Sequence, residues 1–113
     1  MFLEDIIDSI KMIEKYTKGY SQKSFDSDTK VKDAAIRRFE IIGEAVKHIP
    51  ASIKKNHKEI DWNRIAGMRN VLIHEYFGVN TNRVWKTIRD DIPDLRKKIS
   101  DILKEIRIQS LRV

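Results

Sequence analysis

Residues 81–107 read TNRVWKTIRDDIPDLRKKISDILKEIR, and within them Trp85, Ile88, Ile92, Leu95, Ile99, Ile102 and Ile106 alternate steps of three and four. That spacing keeps one apolar side chain per turn on a single stripe of an α-helix. A seam of this kind must be covered, inside a bundle or against a second subunit, and the spacing alone allows both. Pro93, behind Asp90 and Asp91, interrupts it and predicts a new or kinked helix at that point.

Working back toward the start, the same period recurs. Leu3, Ile6, Ile7, Ile10, Ile13 and Tyr16 predict a first helix over about residues 2–18, which Gly19 stops. The small and polar residues 19–28 are expected to form a surface loop, with Ser27 or Asp28 as the cap of a second helix. Its stripe runs from Val31 through Phe39 and Val46 to about Ile49, where Pro50 ends it. Pro50 also suits the first turn of a short helix from Ala51 to about Lys58. Asp61 then reads as the N-cap of a third long helix carrying Trp62, Ile65, Met68, Leu72, Ile73 and Tyr76, closed by Gly78. The expected architecture is an all-α, antiparallel four- to five-helix bundle forming one domain over residues 1–113.

Composition agrees. A chain of 113 residues with 4 Gly and 2 Pro has too few turn-formers for a sandwich or barrel, and 35% charged with 41% hydrophobic residues suits amphipathic helices. The absence of Cys removes disulfides, thiolate nucleophiles and Cys-ligated zinc, and suits a reducing compartment. No stretch approaches the ~18 apolar residues of a membrane span. Acidic Glu4 and Asp5 stand where a signal peptide needs basic residues, so a cytoplasmic, non-membrane protein is expected. The net charge of +6 hints at a polyanionic partner, but surface Lys that keeps a protein soluble explains it equally well. No block of five like charges exists, so an anion site has to be built by folding.

The chemistry-bearing stretch is Gly67-Met68-Arg69-Asn70-Val71-Leu72-Ile73-His74-Glu75-Tyr76-Phe77. Asn70 and His74 are four apart and share a helix face, so the amide can orient the ring. Arg69 falls on the apolar stripe with Leu72, Ile73 and Tyr76. A guanidinium there must either meet a carboxylate, such as Glu44, or face a cleft, because burying it unpaired costs several kcal/mol. Arg69 and His74 lie about 140° apart around the axis and about 7.5 Å along it. They can still converge on one ligand through the reach of Arg, or across a cleft where two copies of the helix meet. Histidine gives and takes a proton near neutral pH, and Arg holds a phosphate with a planar fork of donors. Together they suit RNA cleavage, in which the neighbouring 2′-hydroxyl attacks and neither a protein nucleophile nor a metal is needed. Ordinary accounts stand beside this one: a His near a helix end is often a capping side chain, and Tyr76 and Phe77 suit a core or interface. His48, His57 and His74 lack zinc-site spacing, and there is neither G-x-S-x-G nor G-x-x-x-x-G-K, so no metal or cofactor is expected.

Arg69 to Tyr76 fits the R-x4-H-x-Y motif and resembles the HEPN superfamily, in particular HepT-like toxins encoded beside a minimal nucleotidyltransferase (MntA-like) antitoxin. Two flanking blocks carry the resemblance further. Ala35-Ile36-Arg37-Arg38-Phe39-Glu40-Ile41-Ile42-Gly43-Glu44-Ala45 is similar to the family's second-helix pattern with its Ile-Gly-Glu-Ala core, and Ile60 to Asn70 is similar to the segment entering the motif helix, with Asp61 where the pattern carries Pro. The resemblance implies a helical homodimer whose two motif helices face each other and form a composite, metal-independent endoribonuclease site. It implies that Arg69 stabilises the transition state, that His74 is the general acid or base and that Asn70 is the polar helper. It further implies an RNA substrate, and neutralisation by AMP transfer to Tyr76 from the nucleotidyltransferase, the added bulk and charge blocking RNA. Glu44 is the expected salt-bridge partner of Arg69. Two other functions fit the same residues: a noncatalytic helical adaptor that binds the nucleotidyltransferase or a nucleotide, and a basic nucleic-acid-binding bundle whose affinity falls steeply with salt.

Overall fold

The computed structural model describes residues 2–77 and 82–111, with the side chains of 73–77 outside the described residues. Among the described residues every regular element is helical. Three long helices, α1 (Phe2–Thr17), α3 (Thr29–Lys47) and α5 (Trp62–Phe77), are joined by a C-terminal helical run. That run consists of α6 (Asn82–Lys86), a π-helical turn (Thr87–Asp91) and α7 (Ile92–Leu111). Two short helices, α2 (Gln22–Ser27) and α4 (Ala51–Asn56), occupy connections between the long ones.

The predicted stripes become the core. Leu3, Ile6, Ile7, Ile10 and Ile13 of α1 join Phe39, Ile42 and Val46 of α3 and Ile99 and Ile102 of α7 in one buried cluster. The C-terminal seam, open between two partners on sequence grounds, is covered within the chain. Trp85, Ile88, Ile92, Leu95, Ile99 and Ile102 are all buried, and Arg96 of α7 reaches Glu14 of α1 at 3.4 Å. Pro93 is the second residue of α7. The backbone widens just before it, where the Ile92 N–H donates to the Thr87 carbonyl five residues back. That π turn accommodates the carbonyl that Pro93, lacking an N–H, cannot serve. A helical run over 82–111 at about 1.5 Å per residue is about 45 Å long, which accounts for the longest dimension of the molecule, 51 × 25 × 20 Å.

The expected surface loop over 19–28 is corrected. Gly19, at φ 80°, ends α1 in the left-handed region, but Ser21 and Ser24 then form a reciprocal capping box and start α2. Phe25, completely buried, anchors α2 against Trp85 with ring centroids 5.2 Å apart. Asp28 caps α3, accepting from the Val31 N–H at 3.1 Å, and Asp61 caps α5, accepting from the Arg64 N–H at 3.1 Å.

Asp28 also receives the Tyr20 hydroxyl at 2.6 Å. This bond, then the Val31 N–H, holds its carboxyl below the ordinary value of 3.8. A lowered folded-state pKa stabilises the fold above the ordinary carboxylate range, and that contribution is lost as pH falls through the lowered value. Tyr20 mirrors this: chiefly because it donates to Asp28, its own pKa rises above 10.0, so its share is lost only at strongly alkaline pH. Tyr20→Phe is expected to move the Asp28 titration midpoint, followed by NMR, up toward 3.8 and to flatten the acid limb of the stability curve. An unchanged midpoint would show that the bond does not form in solution.

Candidate functional site

The site is built where α3 and α5 cross antiparallel. Gly43 sets their distance: a Cβ placed on it would come within 3.2 Å of the Ala66 carbonyl oxygen, so a larger residue would push the helices apart. With Gly43 opposite Ala66 and the helices antiparallel, three residues back along α3 lies opposite three residues on along α5. That register brings Glu40 to Arg69. The Arg69 Nε stands 3.9 Å from Glu40 Oε1, and its Nη1 donates to Asn70 Oδ1 at 3.1 Å. Glu40 also takes Arg37 at 3.2 Å, so one carboxylate lies between two guanidinium groups.

The expected Glu44–Arg69 pairing is therefore corrected to Glu40–Arg69. Glu44 sits one turn further along α3 and pairs with Lys47 at 3.6 Å and His48 at 3.5 Å. The sequence signal for Glu40 is its i,i+3 relation to Arg37, but the contact with Arg69 depends on inter-helix register. Arg69 also does not sit within the apolar stripe. Leu72 is buried, whereas the Arg69 side chain is 48% exposed at the helix edge. Both resolutions foreseen for this guanidinium occur: a carboxylate meets it and it faces a cleft.

That cleft, about 500 Å³, runs between α3 and α5, with Arg37, Glu40, Lys47, His48, Arg69 and Asn70 among its lining residues. Its charges alternate rather than accumulate. An exposed ion pair as long as Glu40–Arg69 is worth at most about 1 kcal/mol, so a phosphate offering two oxygens to the guanidinium fork can displace the carboxylate.

α5 continues through Phe77 and so carries His74 and Tyr76, whose side chains lie outside the described residues. The expected Asn70–His74 contact lies outside them as well. The other two histidines have separate attachments: His48 caps the end of α3, and His57 links Glu59 at 3.3 Å to Glu105 of α7 at 3.5 Å. Among the described residues no group of three or more His, Asp or Glu side chains is placed to hold a metal ion, and no helix is long and apolar enough to cross a membrane.

Fold and site together define a small all-helical protein whose polar residues are displayed along an exposed helix edge beside an open cleft. The chain belongs to the HepT-like ribonuclease family of the HEPN superfamily, matching the family described as "Ribonuclease HepT-like" over residues 6–102. It is 46% identical over 103 residues to a protein of Thermococcus cleftensis named "Probable ribonuclease HepT", covering 91% of this chain and 94% of that one. It is 42% identical over 104 residues to a protein of Caldanaerobacter subterraneus subsp. tengcongensis named as a "Putative RNase", covering 92% and 93% of the two chains. A Methanocaldococcus jannaschii protein named "Gamma-glutamylcyclotransferase and putative RNase" is 40% identical over 106 residues; the match takes in 94% of this chain but 48% of that protein. No solved structure gives a significant match.

Proposed function

We propose that this protein is the toxin of a toxin–antitoxin pair, a metal-independent endoribonuclease that acts as a homodimer in the cytoplasm. The observation that carries this is Arg69, in a family of ribonucleases, held at the cleft edge by a carboxylate that phosphate can replace. In the reaction the RNA 2′-hydroxyl gives up its proton to a base and its oxygen bonds to phosphorus. The bond from phosphorus to the 5′ oxygen breaks, and an acid protonates the leaving oxygen. Arg69 stabilises the charge on the phosphorane oxygens, His74 serves as acid or base, and Asn70, already bonded to Arg69, fixes the fork.

A second copy completes the site. Val71 follows Arg69 and Asn70 on α5 and is 40% exposed, an apolar side chain uncovered on the motif helix. Two α5 helices meeting there would bury Val71 and bring the two copies of the motif helix together.

Neutralisation is proposed to occur by AMP transfer to Tyr76 from a minimal nucleotidyltransferase antitoxin. Tyr76 lies two residues beyond His74 on α5, so an adenylate there adds bulk and negative charge beside the cleft. Co-expression with a minimal nucleotidyltransferase antitoxin is expected to add one adenylate per chain at Tyr76, read by peptide mass analysis, and to suppress RNA cleavage. Tyr76→Phe should stay unmodified and remain active in its presence. Modification at another residue, or suppression of Tyr76→Phe as well, would contradict this control.

A further inference from the structure

The cleft has a feature that the cleavage chemistry does not use. At the end of α3 the rings of Phe2 and His48 stack, with centroids 4.8 Å apart and planes 19° from parallel. Both line the cleft that holds Arg69. The His48 backbone N–H bonds to the Ala45 and Val46 carbonyls, and its side-chain Nε2 lies 3.5 Å from Glu44. Yet Phe2 is 43% exposed and the His48 side chain 53% exposed. A stacked aromatic pair half open to solvent, with Lys47 beside it, offers a ring face to a planar base and a positive charge to a phosphate chain. Along α3, His48 lies eight residues beyond Glu40, about 12 Å from the level of Arg69. That separation reaches past the nucleotide whose phosphate Arg69 would engage.

We propose that Phe2 and His48 form a stacking platform for a base of single-stranded RNA, adjacent in the chain to the nucleotide at Arg69. The substrate class rests on the ribonuclease function proposed above. Every base has a π face, so such a platform holds the strand with little sequence preference, and only unstacked bases can reach it. Lys47 supplies charge to the neighbouring backbone.

The test uses the full chain and a labelled 2′-O-methyl oligonucleotide, which lacks the attacking hydroxyl and is not consumed. Binding is followed by fluorescence anisotropy at fixed salt, with an abasic residue moved along the strand. The unaltered protein is expected to bind about tenfold more weakly when the abasic residue occupies one particular position. In Phe2→Ala and His48→Ala that penalty should vanish, the intact and abasic strands binding alike, and Phe2→Trp should keep it. Absence of any positional penalty in the unaltered protein, or its persistence in both alanine variants, would overturn the platform. The nuclease function fails separately, when strands bind with the positional penalty but ordinary RNA is left uncut.

Discussion

Arg69→Ala is expected to lower the rate of RNA cleavage by roughly a thousandfold while leaving the fold intact. The loss is large because this guanidinium is the one that the cleft offers to developing phosphorane charge from the motif helix, and a methyl group offers none. The fold is spared because the side chain is half exposed and its partners, Glu40 at 3.9 Å and Asn70 at 3.1 Å, remain solvated without it. Loss of such an exposed pair changes stability by no more than about 1 kcal/mol. Arg69→Lys keeps the charge but loses the planar fork and should recover only part of the rate. Initial rates on a labelled RNA, measured beside circular dichroism melts, separate the two quantities. An Arg69→Ala protein that melts early would mean that its inactivity reports unfolding.

Leu72→Ala should do the opposite. Leu72 lies three residues beyond Arg69 and is 1% exposed, the buried anchor of the helix that displays the site. Truncating it removes buried apolar volume from a packed position, with an expected loss of about 2–5 kcal/mol. Against the roughly 5–15 kcal/mol of an ordinary domain, that is a substantial fraction. Urea denaturation should show a clearly lower midpoint with the slope unchanged. Under conditions where the variant is folded, its cleavage rate should stay near that of the unaltered chain, since Leu72 touches no reacting group. A change below about 0.5 kcal/mol would contradict the packing of α5 described above.

The contrast between these residues shows how far the sequence could be read. Long helices with a regular apolar period declared themselves: the seam from Trp85 to Ile102 is buried as its spacing requires, and Asp28 and Asp61 cap the helices they precede. α2 did not, because a six-residue helix has room for one anchor, Phe25, and one apolar residue has no period. Pro93 marked a break in the seam, but the i to i−5 bond that carries the chain past it is a backbone adjustment without a composition signal.

At the site, residue types were legible and pairings were not. Arg69, Asn70, His74 and Tyr76 stand out as a motif, whereas Glu40 rather than Glu44 meets Arg69 because Gly43 lets α3 approach Ala66 in one register. Such a register belongs to two helices at once and cannot be read from either alone. The Phe2–His48 stack joins the first residue of α1 to the residue that caps the end of α3, and for the same reason neither flanking sequence announces it.

The most direct test is cleavage of a 5′-labelled single-stranded RNA by the purified protein in excess chelator, with Arg69→Ala and His74→Ala assayed in parallel at matched folded concentration. The unaltered protein should cut the strand and leave 2′,3′-cyclic phosphate ends, and both variants should leave it intact. An unaltered protein that binds the strand but cuts nothing, or variants that cut as fast as the unaltered chain, would contradict an Arg69–His74 ribonuclease.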